Sequence, residues 1–138
     1  MANSSRSIVP FIGRILTALI FMISGFFEIV GYSQTVGFAA SKGLPLASVA
    51  IACAIVIEVL GGLAVLIGFK TRIAAWILFL YMIPTTVVFH NFWAMAGMQQ
   101  QDNMAHFMKN LAIMGALLLL ASGAPTPYSM DARQTATA

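Results

Sequence analysis

Polar and apolar positions alternate along this chain on a coarse scale. Long apolar runs at residues 8–30, 44–69, 73–90 and 104–122 are separated by short stretches rich in glycine, serine, lysine and glutamine. Each run is near the roughly 20 residues that a helix needs to cross the hydrocarbon core of a bilayer. The connections are short, so successive helices must lie antiparallel as neighbours. The pattern predicts an all-α, integral membrane four-helix bundle, with residues 1–138 forming a single transmembrane domain. The first run exceeds the 7–15 residues typical of a secretory signal core and carries Arg14 and Glu28, which marks it as a retained helix.

Between the runs, the punctuation predicts where helices begin and end. Residues 1–7 are polar and expected to fray, and Pro10 suits a first helical turn, where its missing N–H costs nothing. Residues 31–43 hold three glycines, Ser33 and Ser41 and are expected to form an outer loop, with Pro45 opening the second helix and Gly68 closing it. Pro84 is expected to kink the third helix, leaving Thr85 and Thr86 to satisfy the freed backbone groups. Residues 91–103 read as an outer connection whose Phe92 and Trp93 suit an interfacial belt. The tail, 123–138, reads as polar and mostly disordered, with Tyr128 resting on the membrane surface.

Polar residues inside the runs carry the candidate chemistry, because an ionised group in hydrocarbon is costly and is kept where it has a partner or a use. In the first helix Arg14, Thr17, Phe21, Ser24, Gly25 and Glu28 recur every three or four residues and share a stripe that must face the interior. Glu58 lines up with Gly61 and Gly62, whose small size lets a neighbouring helix approach the carboxylate. His106, Lys109, Asn110 and Ile113 share a face of the last helix. At about 1.5 Å per residue, Arg14 lies roughly 9 Å and Glu58 roughly 16 Å from one end, a gap that an extended arginine covers. An inner pair, Arg14 with Glu58, and an outer cluster of Glu28, His90, Asn91, His106, Lys109 and Asn110 are therefore expected. These groups either tie helices together or line a cavity for a proton, a polar headgroup or a quinone.

Composition narrows the field. The chain is 60% hydrophobic and 8% charged, with a mean hydropathy of +0.92, whereas a soluble domain is about 25% charged. Arg6, Arg14, Lys70, Arg72 and Arg133 fall on one side and Lys42 and Lys109 on the other, so both termini are expected in the cytoplasm. That bias explains the pI near 9.4, and no basic patch alternates with exposed aromatics, so nucleic acid is not an expected partner. Cys53, the only cysteine, excludes an internal disulfide or CxxC pair and reads as apolar filler. Glu28, His90 and His106 would make an acceptable ligand set, but their spacing is nonspecific and HExxH is absent, so no metal site is assigned. GxGxxG and Walker patterns are absent as well.

Five elements stand in register along the chain: Gly13-Arg14-Ile15-Leu16 leading to Ser24-Gly25-Phe26; Glu58-Val59-Leu60-Gly61-Gly62 to Lys70-Thr71-Arg72; Phe89-His90-Asn91-Phe92-Trp93; Lys109-Asn110-Leu111-Ala112-Ile113; and Tyr128-Ser129-Met130-Asp131. Together they resemble the DoxX family in order and spacing. The resemblance implies a four-helix protein of the bacterial cytoplasmic (inner) membrane, of a family named for a subunit associated with quinone-linked sulfur oxidation. It implies a quinone-associated oxidoreductase component acting with a redox partner, with Glu58, Lys109 and His90 as candidate catalytic groups. Arg14, Glu28, Asn91 and Asn110 are the candidates for ligand binding or proton relay. The alternative is a non-catalytic carrier or a scaffold that recruits other proteins to the membrane. Family members often place a lysine where this chain has Glu28, so Glu28 either alters that task or pairs with Lys109. Gly61, Gly62 and Ala64 are expected to offer a small-residue surface for self-association.

Overall fold

The computed structural model describes residues 4–136. Four helices are long and apolar enough to cross a membrane: α1 (Ser4–Val30), α3 (Ala47–Ile67), α4 (Thr71–Phe89) and α5 (Gly97–Ser122). Helix is the form that lets each spanning segment satisfy its own backbone where no water is available. Among the described residues there are also two short helices, α2 (Tyr32–Ser41) and α6 (Met130–Ala136), and a 3-10 turn at Phe92–Ala94. Two of the spans start earlier than the apolar pattern implies. Helix α1 already includes Ser4, which puts Pro10 inside the helix rather than in its first turn, and α5 takes up residues 97–103 from the expected outer loop. Residues 1–3 of the expected frayed start lie outside the described residues.

The central element is α3, which packs against α1 on one side and α4 on the other, while α5 packs on α4. With no hydrophobic drive between helices in lipid, close approach depends on small residues. A Cβ on Gly25 of α1 would stand 2.7 Å from Val59 Cγ2, one on Gly62 would stand 3.1 Å from Phe21 Cβ, and one on Gly61 would stand 2.9 Å from Leu78 Cδ2. Gly61 and Gly62 thus face α4 and α1 in turn. They are internal contacts rather than the outward surface for self-association expected from the sequence. Ala18, Phe21, Val65, Ala75, Leu78 and Leu117 fill the space between the helices, while Leu16, Phe27, Leu60, Leu80 and Leu119 point outward to lipid.

The expected loop at 31–43 is mostly helix α2. Tyr32, Val36 and Ala39, at helical spacing, bring one face onto the start of α3, where Ala39, Ala47 and Ile51 form a second small core. The Tyr32 hydroxyl donates to the Ser48 carbonyl at 2.6 Å and fixes α2 to that end. In α4 the Thr85 hydroxyl donates to the Tyr81 carbonyl at 2.9 Å, one residue past the Leu80 carbonyl that Pro84 leaves without its i→i−4 donor. Thr86 accepts from Asn110, so neither threonine takes the expected role.

The tail is ordered where disorder was expected. Asp131, at the start of α6, accepts hydrogen bonds from the Lys70 N–H at 2.7 Å, the Thr71 N–H at 2.8 Å and the Thr71 hydroxyl at 2.7 Å. It therefore caps α4 across some 60 residues of sequence, a position where α4 has no side-chain cap of its own. The α3–α4 turn beneath it is built on Gly68, whose φ of +70° closes α3 with a 6→1 bond from the Phe69 N–H to the Ala64 carbonyl. A side chain at Gly68 would also collide with Ser129 of the tail. Tyr128 is exposed, with its ring edge-on to Phe11 at 5.5 Å.

Two outcomes follow. Gly25→Leu overpacks the α1–α3 contact and lowers stability by about 1–3 kcal/mol, seen as a reduced melting temperature in detergent, whereas Gly115→Leu, with nothing within 4 Å of its Cβ, leaves it unchanged. Burial opposes ionisation of Asp131, but Thr71, the Lys70 N–H and the Arg14 charge outweigh it and hold the carboxyl below the ordinary aspartate range. A carboxyl whose folded value is depressed adds stability above its unfolded value, and that stability is lost as pH falls through the folded one. Asp131→Ala therefore costs about 1 kcal/mol at neutral pH, and the gap in melting temperature from wild type begins to narrow only as pH falls below about 4, closing below the depressed folded value.

Candidate functional site

A cavity of about 400 Å³ lies among α1, α2, α3, α4 and α5, toward the end where α2 and the 3-10 turn sit. Its size falls within the range of small-molecule sites. Most of its wall is apolar, with Phe21, Ile51, Met82, Phe89 and Ile113 among the lining residues. Phe38 of α2 and Phe89 of α4 stack at 5.8 Å and form part of its wall at the loop end. The element that sequence reading took for a loop thus supplies part of the enclosure.

Into this apolar space the helices bring Glu28, Glu58, Tyr81, His90, Lys109 and Asn110. Glu58 is 5% exposed; its Oε1 accepts from the Tyr81 hydroxyl at 2.9 Å, and its Oε2 is buried with no partner at hydrogen-bond geometry, although the Ser24 hydroxyl is near enough to interact with the carboxyl. Glu28 Oε2 is likewise buried and unpartnered. The two carboxyls are close enough to interact electrostatically; Glu58 sits at the Gly25 contact that draws α1 onto α3, and Glu28 lies about one turn from it. Asn110, also buried, donates from Nδ2 to Thr86 Oγ1 at 3.1 Å, tying α5 to α4. At the mouth, Lys109 Nζ lies 3.2 Å from His106 Nδ1, the His90 and His106 rings stack at 5.1 Å, and His90 Nδ1 lies 3.3 Å from Asn103 Oδ1.

The expected grouping is thereby redrawn. Glu58 belongs with Glu28, His90, Lys109 and Asn110 in one cavity, not in an inner pair with Arg14. Arg14 lies at the opposite end, 1% exposed, donating to Thr126 Oγ1 at 2.6 Å and to the Tyr128 carbonyl at 3.0 Å. The tail, unseen in the apolar pattern, supplies the acceptors that Glu58 was expected to provide. Asn91 stands outside the cavity and accepts from Lys42 Nζ at 3.4 Å. Lys109 meets His106 rather than Glu28, so the compensating Glu28–Lys109 pair does not form.

Sequence reading missed Tyr81 and Thr86. Tyr81 had a signal: it lies deep in an apolar run, far from where an interfacial belt places tyrosine, and a buried Glu58 needs a donor at similar depth.

The DoxX family profile matches residues 9–91, a stretch that covers Glu28, Glu58, Tyr81 and His90 but ends before Lys109 and Asn110. The chain is 38% identical over 131 residues to the inner membrane protein YphA of Escherichia coli (strain K12), covering 95% of this chain and 94% of YphA. It is 36% identical over 120 residues to the inner membrane protein YqjF of the same organism, covering 87% of each. No solved structure matches it. With four spanning helices and likeness to these relatives along nearly its whole length, this multi-pass protein of the inner membrane belongs to the DoxX family.

Proposed function

We propose that the cavity is a site for a quinone-like ring and that the chain is the membrane component of a quinone-linked oxidoreductase, working with a redox partner. The observation that carries this reading is the pair of buried, unpartnered carboxylate oxygens, Glu28 Oε2 and Glu58 Oε2, facing one largely apolar cavity. A buried acceptor left unmade costs about 1–3 kcal/mol, so two of them in one space are better suited to a ligand or a mobile proton than to packing. The donor set fits a ring with carbonyl oxygens, with an ammonium and an imidazole at the mouth and flat aromatic walls within.

A bound quinone would supply two-electron, two-proton chemistry. The chain's own part is to hold and to protonate. In this reading Lys109 and His90, which line the cavity, donate to oxygens that gain charge during reduction. Glu58, oriented by Tyr81, and Glu28 beside it exchange the protons, and Asn110, steadied by Thr86, positions the ring. With the basic, termini-bearing end in the cytoplasm, the cavity lies toward the outer face. Arg14 takes no part in this relay.

The second reading, a non-catalytic carrier or scaffold, is favoured by the Tyr81–Glu58 and Asn110–Thr86 hydrogen bonds, which would serve as interhelical ties. Native mass spectrometry with quinone extraction on gently purified protein separates the two. A ring compound co-purifying with wild type should fall roughly tenfold or more in both Glu58→Gln and Lys109→Met. Glutamine keeps an acceptor for Tyr81, so loss of ligand there is not loss of fold. Ordinary phospholipid alone, recovered equally from all three, supports the scaffold.

A further inference from the structure

At the opposite end of the bundle a second cavity, about 670 Å³, runs between α1 and α5 above the α3–α4 turn. These two helices make little contact with one another, so the space opens sideways between them toward lipid. Its walls continue the lipid-facing surface: Val9 is 67% and Leu119 75% exposed, and Ile73, Ala116 and Leu120 extend the apolar lining.

Three cationic residues, Arg14, Lys70 and Arg72, line the same space with one carboxylate, Asp131. Asp131 caps α4 with three hydrogen bonds and its charge also acts on Arg14, so one carboxylate stands against three cations and leaves the groove net positive. Arg14 holds the tail with its terminal nitrogens, while its Nε is buried with no hydrogen-bond partner. Arg72 Nε donates to the Ala121 carbonyl at 2.9 Å, which brings its guanidinium to the end of α5. Positive charge is therefore concentrated at one end of a cleft whose remainder is apolar and open to the bilayer.

We infer that this groove binds an anionic phospholipid, its phosphate among Arg14, Lys70 and Arg72 and an acyl chain along the α1–α5 seam. A free phosphate would leave the long apolar walls uncovered, and a zwitterionic lipid would bring a cation of its own against the cationic cluster. Basic pockets between spanning helices are a recurrent form of headgroup recognition. The site is separate from the ring cavity and does not depend on the redox reading.

The test reconstitutes the full chain in nanodiscs of equal phosphatidylglycerol and phosphatidylcholine, extracts it gently, and counts retained lipids by native mass spectrometry. Wild type should retain phosphatidylglycerol over phosphatidylcholine by about fivefold or more. Lys70→Gln combined with Arg72→Gln should return the ratio toward one, and Lys42→Gln, at the far end, should leave it unchanged. Ala116→Phe, which fills the apolar part without altering charge, should lower total retention of lipid and guards against a charge variant that merely misfolds. Equal retention of the two lipids by wild type overturns the inference, as does an unchanged ratio in the Lys70/Arg72 variant or displacement of the lipid by inorganic phosphate alone.

Discussion

Everything in this bundle depends on how closely α1 and α4 can approach α3. In lipid, helices gain nothing by hiding apolar surface from one another, so van der Waals contact at short range must hold them together. Gly61 and Gly62 give α3 two bare faces, one toward Leu78 and one toward Phe21, and Gly25 answers from α1. Glu58 lies one turn away on the same helix, and Glu28 one turn beyond Gly25. The close contact that binds the helices therefore also sets two carboxyls in the same interior space.

The polar residues are divided between two ends with different tasks. At the termini end, a buried guanidinium is matched by a hydroxyl and a carbonyl of the tail, and the tail's own carboxylate completes α4. Here the two terminal nitrogens of Arg14 meet acceptors of the tail, while its Nε stays unmet. Toward the loop end, acceptors outnumber the donors that reach them: Tyr81 serves one oxygen of Glu58, and the outer oxygens of both glutamates stay unmet. Such an asymmetry distinguishes a structural tie from a place with chemistry left to do.

Much of the fold was legible because apolar runs of spanning length are hard to read as anything else, and the stripe from Arg14 to Glu28 located the interior face of α1. The glycine pair beside Glu58 was read for its packing consequence. What escaped was whatever depends on three dimensions between separate segments. Helix α2 looks like a loop because three glycines and two serines dominate residues 31–43, while the spacing of Tyr32, Val36 and Ala39 is a quieter signal. Arg14 was matched to Glu58 by depth alone, since nothing local shows that residues 126–131 fold back beneath it. In the site, Glu28, Glu58, His90, Lys109 and Asn110 were identified by their cost in a membrane, but uncharged Tyr81 passed as an ordinary member of an apolar helix and Thr86 was assigned to the backbone beside Pro84 rather than to Asn110.

The cap on α4 has a consequence for assembly. Thr71 starts the third span, yet the carboxylate that receives its N–H belongs to Asp131, beyond the end of the fourth. Closing so long a segment is entropically slow and must wait until α5 has crossed and returned. The start of α4 is thus left incomplete until α5 and the segment that follows it are in place. The segment after α5 acts as a late clasp: this end of the bundle closes only once the fourth span is inserted and residues 126–131 have folded back onto α1 and α4.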